Sequence, residues 1–339
     1  MKILYGIQGT GHGHISRARE ILPLLSRKAE VDVLISGSKR EKRLNRTDIT
    51  YKRGLSFTYD SKGGISFLKT ALKLDPITFL RDLSRLDINK YDLVISDFEP
   101  ISSWAAIKAG KKCIGLSHQA AFLSEKTPRP EGRSVFAEHI LARFAPFHRA
   151  IGFHFLRYDS FIEGPIIRKE VRNLSPGNGN HISVYLPVFD HQVLTSIFLQ
   201  CRQIQWHLFS PLCSQPYTRQ NVTVRPVVNE PFLESLESSA GVITSAGFET
   251  CSEAMYLGKK LMVIPIKNQY EQLCNVASLK KMGVPVVYDL NEHLVDLIDD
   301  WLINSTAISI SEIANTEKIT KKLLRYAGTG RKKSMKSWP

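Results

Sequence analysis

The stretch KILYGIQGTGHGHI, residues 2–15, decides how the first part of the chain folds. It opens with a short, mostly apolar run that is typical of a buried β-strand. Glycines at positions 9, 11 and 13 then allow a tight turn, and apolar residues such as Ile15, Ala18 and Leu22 follow at helical spacing. The stretch therefore predicts a strand, a glycine loop and a helix, which form the first βα unit of an α/β fold.

The same alternation of strands and helices continues along the chain. In the first half, strands are predicted at Lys2–Gln8, Val31–Ser36, Asp92–Ser96, Cys113–Leu116 and Arg149–Phe155, with a helix at Ile101–Ala109. In the second half, they are predicted at Ile182–Leu186, Gln205–Phe209, Val222–Val227, Gly241–Thr244, Leu261–Ile266 and Val284–Tyr288. Strands that alternate with helices indicate two parallel sheets, each covered on both faces.

A turn-rich stretch separates the two halves and contains Glu163-Gly164-Pro165 and the run SPGNGN at 175–180. We therefore predict two domains joined by a linker. The predicted parts are an N-terminal domain over 1–162, a linker over 163–180, a C-terminal domain over 181–327 whose last helix can pack back on the first domain, and a basic flexible tail over 328–339. Ligands of open α/β sheets bind beyond the carboxyl ends of the strands, so we expect a site in the cleft between the sheets.

Composition limits the classes of partner and the compartment. The 339 residues include 46 Lys and Arg against 32 Asp and Glu, a formal net charge of +14 that attracts polyanions without selecting among them. No base-reading motif or stacking set of aromatic residues occurs, so we expect no nucleic-acid partner. No apolar run is long enough to cross a bilayer, and the first residues become polar too soon for a signal peptide. With 5 scattered cysteines and no C-x-x-C pair, the sequence predicts a cytoplasmic protein with reduced thiols and no metal site.

The first glycine loop carries two histidines, His12 and His14, where the first helix begins. The positive end of that helix suits a phosphate or a developing negative charge, and it favours a neutral imidazole. A neutral, positioned imidazole can take a proton from a hydroxyl group. The alternative is that both rings only cap or pack the loop. Two histidines beside Gly11 and Gly13 favour the functional interpretation, although the G-x-G-x-G spacing is a poor match to a dinucleotide fingerprint.

A second group of candidates follows the strand predicted at Asp92–Ser96. Asp97 can orient a histidine, as carboxylates do in other catalytic pairs, or it can cap the next helix. Glu99 lies in the same loop, and His118-Gln119 ends the following strand. Because these segments meet at one edge of a parallel sheet, we expect them to line the same cleft.

A second small-residue turn, Ser245-Ala246-Gly247, follows the strand predicted at Gly241–Thr244 and precedes a helix. Such a turn at a helix N-terminus suits a diphosphate. The spacing of Thr250 and Glu253 also fits a capping box, a structural explanation that the local pattern alone favours. Further on, the polar run 267–272 either hydrogen-bonds ligand hydroxyls or forms an exposed loop.

The ordered set of these features resembles a known family. Ser245-Ala246-Gly247-x-x-Thr250-x-x-Glu253, then Gly258, Pro265 and Glu271-Gln272-x-x-Asn275, resembles the donor-binding signature of GT-B glycosyltransferases, in particular the MurG-like and UDP-glucuronosyltransferase-like groups. Gly13-His14-Ile15 resembles their first loop, in which a Gly-His pair precedes the helix. The resemblance spans both halves and implies the GT-B fold, in which two Rossmann-like domains with parallel sheets face a central cleft.

The resemblance also implies a role for individual residues. His14, rather than His12, matches the catalytic base, and Ser245, Ala246, Gly247 and Thr250 match the turn that holds the diphosphate. Glu253 matches the acid that binds the ribose, and Glu271 and Gln272 match the pair that contacts the donor sugar. Related enzymes often carry Gln or Asp at position 271, which leaves the sugar open. His12 and the loop at 97–100 indicate an uncharacterised branch rather than the peptidoglycan enzyme itself.

The function implied is an inverting, metal-independent transfer from a nucleotide sugar, with a UDP-sugar as donor and no cofactor. The sequence has no D-x-D triplet, which is the usual metal–diphosphate clamp of the other major glycosyltransferase fold. Helix dipole and backbone N–H groups would instead stabilise the leaving diphosphate. Two alternatives stay open: a nucleotide-sugar epimerase of the same fold, and a non-catalytic sugar-nucleotide-binding protein.

The acceptor is the least defined partner. Residues 65–86 combine Phe and Leu side chains with Lys69, Lys73, Arg81 and Arg85, which suits an anionic membrane surface on the cytoplasmic side and a lipid-linked acceptor such as a cell-envelope glycan precursor. An ordinary pair of surface helices, interrupted at Pro76, explains the same pattern. A small-molecule acceptor is the alternative partner.

Overall fold

The structure is a computed structural model that describes residues 1–37, 44, 46–54, 75–290 and 293–328. Its first sheet has seven parallel strands in the order β3-β2-β1-β4-β5-β6-β7. The strands are β1 (Lys2–Gln8), β2 (Glu30–Ser36), β3 (Ile49–Lys52), β4 (Leu93–Asp97), β5 (Cys113–Ser117), β6 (Arg149–Phe153) and β7 (Ile162–Glu163). The helices of this part are α1 (His12–Ser26), α2 (Pro76–Ser84), α3 (Pro100–Lys108) and α4 (Val135–Arg143), with a 3₁₀ turn at Gln119–Leu123.

The second sheet has six strands in the order β10-β11-β9-β8-β12-β13, and only the β10–β11 pair is antiparallel. The strands are β8 (His181–Tyr185), β9 (Gln205–Ser210), β10 (Tyr217–Arg219), β11 (Val222–Pro226), β12 (Gly241–Thr244) and β13 (Lys260–Val263). The remaining helices are α5 (Lys169–Arg172), α6 (His191–Phe198), α7 (Asn229–Ser238), α8 (Phe248–Tyr256), α9 (Tyr270–Lys281), α10 (Leu294–Asn304) and α11 (Thr316–Gly328).

The strands that the sequence predicted best are those buried on both faces. Every residue of β4, β5 and β12 is buried, which is why each of these segments begins as an apolar run without alternation and becomes polar only at its carboxyl end. The strand predicted at Val284–Tyr288 was wrong, because only Val286 forms a bridge, to Val263. Its two hydrogen bonds run from Val263 N–H to the carbonyl of Pro285 and from Val287 N–H to the carbonyl of Val263, and Pro285 has no N–H group with which to continue the pairing on its own side. The short strands β3, β7 and β10 were not predicted, since two to four residues carry too little pattern.

One hydrophobic cluster continues from the first sheet to the second and includes Ile15 of α1, Phe248 of α8 and Leu323 of α11. The last helix therefore packs against the first part of the chain. Lys112 holds it there by donating from Nζ to the carbonyls of Tyr326 and Ala327, at 3.1 and 2.8 Å. The first sheet ends at Glu163 and the second begins at His181, which agrees with a division near these residues, but the domain boundaries stay a prediction.

Within the described ranges, none of the helices combines the length and the apolarity needed to cross a bilayer. The basic tail beyond residue 328 and residues 65–74 of the segment 65–86, with Lys69 and Lys73, lie outside the described residues.

Candidate active site

Two helix N-termini approach each other where the sheets meet. Helix α1 follows Gly11 and helix α8 follows Gly247, and neither N-cap residue has a side chain that can cap its helix. Gly11 has φ +96°, a conformation that favours glycine. A Cβ on Gly13 would lie 2.1 Å from Oε1 of Glu249, so any larger residue at this position would displace the Glu249 side chain.

A buried hydrogen-bonded group stands at the start of α1. His14 Nδ1 lies 2.7 Å from Oδ1 of Asp97, whose side chain is completely buried at the end of β4. Arg17, one turn after His14, donates to both oxygens of the same carboxylate, from Nε to Oδ2 at 2.7 Å and from Nη2 to Oδ1 at 2.9 Å. A carboxylate only accepts hydrogen bonds, so in the neutral ring the proton of His14 lies on Nδ1 and Nε2 carries the lone pair. Within the described residues, His14 Nε2 has no hydrogen-bond partner.

Arg17 and His14 keep the side chain of Asp97 negatively charged. Burial alone would raise its pKa, but the positive charge of Arg17 and the contact with His14 hold the pKa of Asp97 below its ordinary value. Asp97 therefore stays a carboxylate and can stabilise a proton taken up by His14.

The loop after β4 corrects two predictions. Asp97 does not cap α3, because Glu99 does so by accepting from the N–H groups of Ile101 at 2.8 Å and Ser102 at 2.7 Å. Glu99 therefore does not line the cleft; it is fully buried, and its carboxylate also accepts from the Ser36 hydroxyl. Burial raises the pKa of Glu99, although these hydrogen bonds oppose the shift.

The second glycine turn forms the other side of the site. Helix α8 begins at Phe248, directly after Ser245-Ala246-Gly247. Thr250 consequently lies inside the helix and cannot be its N-cap, so the capping-box explanation was wrong. The carboxylate of Glu253 pairs with Arg168, which donates from Nε at 2.6 Å and from Nη2 at 2.8 Å. Burial raises the pKa of Glu253, while the charge of Arg168 opposes the shift.

The residues predicted at the ends of neighbouring strands meet across the two sheets. Gln119 Nε2 donates to Oε2 of Glu271 at 3.0 Å. The buried ring of His118 stacks on Phe248 with the centroids 4.0 Å apart, and its Nε2 lies 2.8 Å from Oδ1 of Asn275. Gln272 accepts from the backbone N–H of Ile266 and so supports the loop before α9. The structure thus brings the predicted acceptor side and the predicted donor-sugar side into direct contact.

Protein-family models assign the chain to a family of enzymes. The model of glycosyl transferase family 1 matches residues 1–305. The chain is a member of that family. It is accordingly a glycosyltransferase, as the resemblance implied.

Solved structures agree with this assignment at the level of the fold. Acinetobacter baumannii MurG has a TM-score of 0.60 and 14% identity, covering 96% of this chain and 99% of that one. Phytolacca americana UGT2, solved with UDP-2-fluoroglucose and pterostilbene, has a TM-score of 0.58 and 12% identity, covering 96% and 93%. VinC, solved with dTDP, has a TM-score of 0.58 and 12% identity, covering 97% and 100%. No curated protein gives a significant sequence match.

The glycosyltransferase therefore has the GT-B architecture that the sequence predicted, with two Rossmann-like units and a cleft between parallel sheets. A pocket in this cleft lies between α1 and α8. It is lined by Gly13, Ser16 and Arg17, by Pro165, Ile166 and Arg168 of the connection, and by Phe248, Glu249, Ser252 and Glu253. The pocket thus adjoins the first turn of α8 and, on α1, the residues on either side of His14.

Two residues of the glycosyltransferase, Arg17 and Arg168, were missed by the sequence reasoning. Arg17 lies on the same helical face as His14, three residues later, and this spacing was a usable signal. Arg168 lies in the connection between the sheets, where no pattern marked it. Among the described residues, Oε1 of Gln119 and Oε1 of Gln269 are buried without a hydrogen-bond partner, which suits contacts to ligand hydroxyls.

Two points bear on the remaining predictions. The side chain of His12 lies outside the described residues, so its orientation relative to His14 is not assigned. In the part of the chain that the structure describes, no three His, Cys, Asp or Glu side chains are grouped as metal ligands.

Proposed function

We propose that this glycosyltransferase moves the sugar of a UDP-sugar to an acceptor hydroxyl, with inversion at the anomeric carbon and without a metal ion. One observation carries the proposal: the His14–Asp97 pair lies beside the α8 N-terminus, which has no side-chain cap. A proton acceptor and an anion-binding helix end then face the same cleft from its two sides.

The proposed reaction is a single displacement. The acceptor hydroxyl gives its proton to His14 Nε2, and its oxygen forms a bond to the anomeric carbon. The bond from that carbon to the diphosphate oxygen breaks, and the electron pair leaves with the nucleoside diphosphate. The N–H groups of the first turn of α8 stabilise this negative charge, and Asp97 stabilises the protonated His14. Because attack and departure occur on opposite faces, the product has the inverted configuration.

Several observations support the choice of donor. Glu253 is placed on α8 at the position where the resemblance implies a contact to the ribose, and Arg168 holds its carboxylate. The fold neighbours named above were solved with a UDP-sugar analogue and with dTDP. We propose the uridine nucleotide, since the resemblance to the MurG-like and glucuronosyltransferase-like groups favours it.

The cleft has to open before the donor and the acceptor can enter it. Three contacts join the two sides of the cleft directly: Arg17 with Glu249, Gln119 with Glu271, and His118 with Asn275. We propose that substrates enter when these contacts separate and that reclosure excludes water, which limits hydrolysis of the donor.

The first prediction tests the donor and the reaction type. In a thermal-shift screen of nucleotide sugars, we expect at least one UDP-sugar to raise the melting temperature, because a ligand that binds only the folded state stabilises it. The best donor is then incubated with candidate acceptors, with and without EDTA, and the product is analysed by NMR. We expect inverted anomeric configuration and an unchanged rate with EDTA.

The alternatives give different results in the same experiment. Conversion of the UDP-sugar to its epimer without any acceptor identifies an epimerase. Binding without turnover over a broad acceptor panel identifies a non-catalytic sugar-nucleotide-binding protein. If no uridine, guanosine or thymidine sugar changes the melting temperature, the proposed function is wrong.

We further propose that the acceptor is lipid-linked and that α2 rests on the inner face of an anionic membrane. Helix α2 begins at Pro76, which is tolerated in a first turn, and Asp75 caps it. Its Ile77 and Leu80 side chains are 77% and 58% exposed, beside the cationic Arg81. Exposed apolar residues on a basic surface of a chain with net charge +14 suit the interface of an anionic bilayer.

The second prediction is a flotation experiment with vesicles. We expect the wild-type chain to float with vesicles that contain anionic lipid and to stay in the soluble fraction with neutral vesicles. The Ile77→Ser, Leu80→Ser double variant should lose most of this binding, whereas Val193→Ser, an exposed apolar residue on α6, should keep it. Flotation with neither kind of vesicle excludes the membrane surface and leaves a small-molecule acceptor. Equal flotation with both kinds excludes the proposed preference for anionic lipid.

A further inference from the structure

Arg17 is a charged residue that the reaction above does not use, yet it lies at the centre of the site. Its side chain is only 4% exposed, and its guanidinium lies 5.4 Å from the centroid of the Phe153 ring. It contacts a carboxylate on each side: Asp97 through Nε and Nη2, and Glu249 Oε1 through Nη1 at 3.2 Å. Glu249 belongs to the first turn of α8, so the chain of ion pairs crosses the cleft.

Asp97, Arg17 and Glu249 form a row of alternating charges that begins next to His14. Asp97 alone would strongly favour the protonated imidazole, but the Arg17 guanidinium neutralises much of that carboxylate. Arg17 Nη2 also lies 3.3 Å from His14 Nδ1, close enough for its positive charge to disfavour a second one. Glu249 acts in the opposite direction, since it neutralises Arg17 from the far side. Arg17 thus connects His14 to a carboxylate on the opposite side of the cleft.

The other groups that face this cluster do not replace Glu249. The phenol of Tyr5, on β1, is completely buried next to Asp97 and Arg17, and burial raises its pKa well above the ordinary value, so it stays neutral. Phe98 faces the His14 ring with the centroids 6.4 Å apart and carries no charge. Asp97 and Arg17 are therefore the charged groups in contact with His14, and Glu249 reaches it through Arg17. On its other side Glu249 interacts with the charges of Arg168 and Glu253, which pair with each other.

We propose that Arg17 is a positioning residue of the candidate base and that, through Glu249, it makes the proton affinity of His14 depend on contact between the two sides of the cleft. Arg17 holds the Asp97 carboxylate by two hydrogen bonds in the orientation that His14 requires. When α8 docks, Glu249 withdraws part of the charge of Arg17 from Asp97, and Asp97 then stabilises protonated His14 better. The base thus becomes strongest when the first turn of α8 is next to it. This inference rests on the proposed function for its catalytic meaning, but the ion-pair chain can be measured without substrate.

The third prediction follows the His14 ring itself. The Cε1–H resonance of His14, assigned with a His14→Gln variant, is titrated by NMR in the free full-length protein. In Arg17→Met we expect the titration midpoint to rise, because Asp97 then acts on His14 alone. In Glu249→Gln we expect it to fall by a smaller amount, since the carboxylate of Glu249 is one-third exposed and solvent screens it. In the double variant, the Glu249 substitution should add almost nothing to the Arg17 effect, because it acts through Arg17.

Matched variants separate this coupling from a merely structural role. Arg27→Met removes an exposed cation from the other end of α1 and should leave the midpoint unchanged. Arg17→Lys keeps the charge and should keep the midpoint near the wild-type value, but one ammonium group cannot hold both oxygens of Asp97. With the donor identified above, we expect Arg17→Lys to lower kcat about tenfold or more with little change in donor KM.

Two results would overturn the proposal. One is a midpoint that stays at its wild-type value in folded Arg17→Met and Glu249→Gln, and the other is a shift in the same direction in both. Thermal unfolding of each variant shows whether it is folded, and a circular-dichroism spectrum that matches wild type is required before a titration is used. Should the midpoints shift as expected while no nucleotide sugar is ever turned over, the ion-pair chain stands and the proposed function fails.

Discussion

His14→Ala is expected to lower kcat of the sugar transfer by a factor of about 10² to 10⁴, the range typical of a lost general base. Donor affinity should change little, because the residues proposed to hold the nucleotide lie on α8 and in the connection between the sheets. His14 is only 8% exposed, and its removal breaks the contacts of Nδ1 with Asp97 and with Arg17 Nη2. The measurement is kcat and donor KM by product analysis, with UDP binding followed by calorimetry.

Two variants make this result specific. His139→Ala replaces an exposed histidine of α4 and should keep wild-type kcat. Asp97→Asn keeps the shape of the side chain but loses its charge, and it should lower kcat to nearly the level of His14→Ala, because the amide no longer fixes the proton on Nδ1. If His14→Ala keeps more than half of wild-type kcat, another group is the base, and His12 is the first one to replace.

Much of the fold was predictable because two short patterns are locally decisive. The glycine loop between Lys2–Gln8 and the first helix, and the Ser245-Ala246-Gly247 turn before α8, both lie where a buried strand ends and a helix begins. Gly13 belongs to the same pattern, and in the structure it faces the side chain of Glu249 from the other side of the cleft. Sequence patterns therefore located the two helix ends that define the cleft.

The contacts inside the cleft were harder to predict, since they join residues far apart in the chain. Glu99 and Asp97 are two residues apart in one loop, and local cap preferences favour Asp97, but the path of the chain gives the cap to Glu99 and turns Asp97 towards α1. The Arg168–Glu253 pair depends on how the connection crosses α8. Propensity and spacing carry no information on such a crossing, which is decided by the packing of the two sheets.

Glu253→Gln is expected to raise the donor KM by a factor of about 10 to 100, the effect of losing one or two hydrogen bonds to a charged group. Glu253 is 4% exposed, and both of its oxygens accept hydrogen bonds from Arg168, which orients the carboxylate in the pocket between α1 and α8. The glutamine keeps one acceptor oxygen for Arg168 but presents an amide to the ribose hydroxyls. We expect kcat at saturating donor to change less than threefold, because the reacting atoms lie nearer to His14. Initial rates over a range of donor concentrations measure both constants.

A control and a stability measurement decide whether this effect belongs to the donor. Glu234→Gln, on the exposed face of α7, should leave KM unchanged. Glu253→Gln leaves the mostly buried guanidinium of Arg168 with a neutral partner, and a buried charge without its counter-ion destabilises a fold. We therefore expect a lower melting temperature together with the higher KM, and the Arg168→Met, Glu253→Gln double variant should recover part of the stability but none of the donor affinity. If the double variant recovers both, Glu253 acts only as the ion-pair partner of Arg168, and the ribose is bound elsewhere.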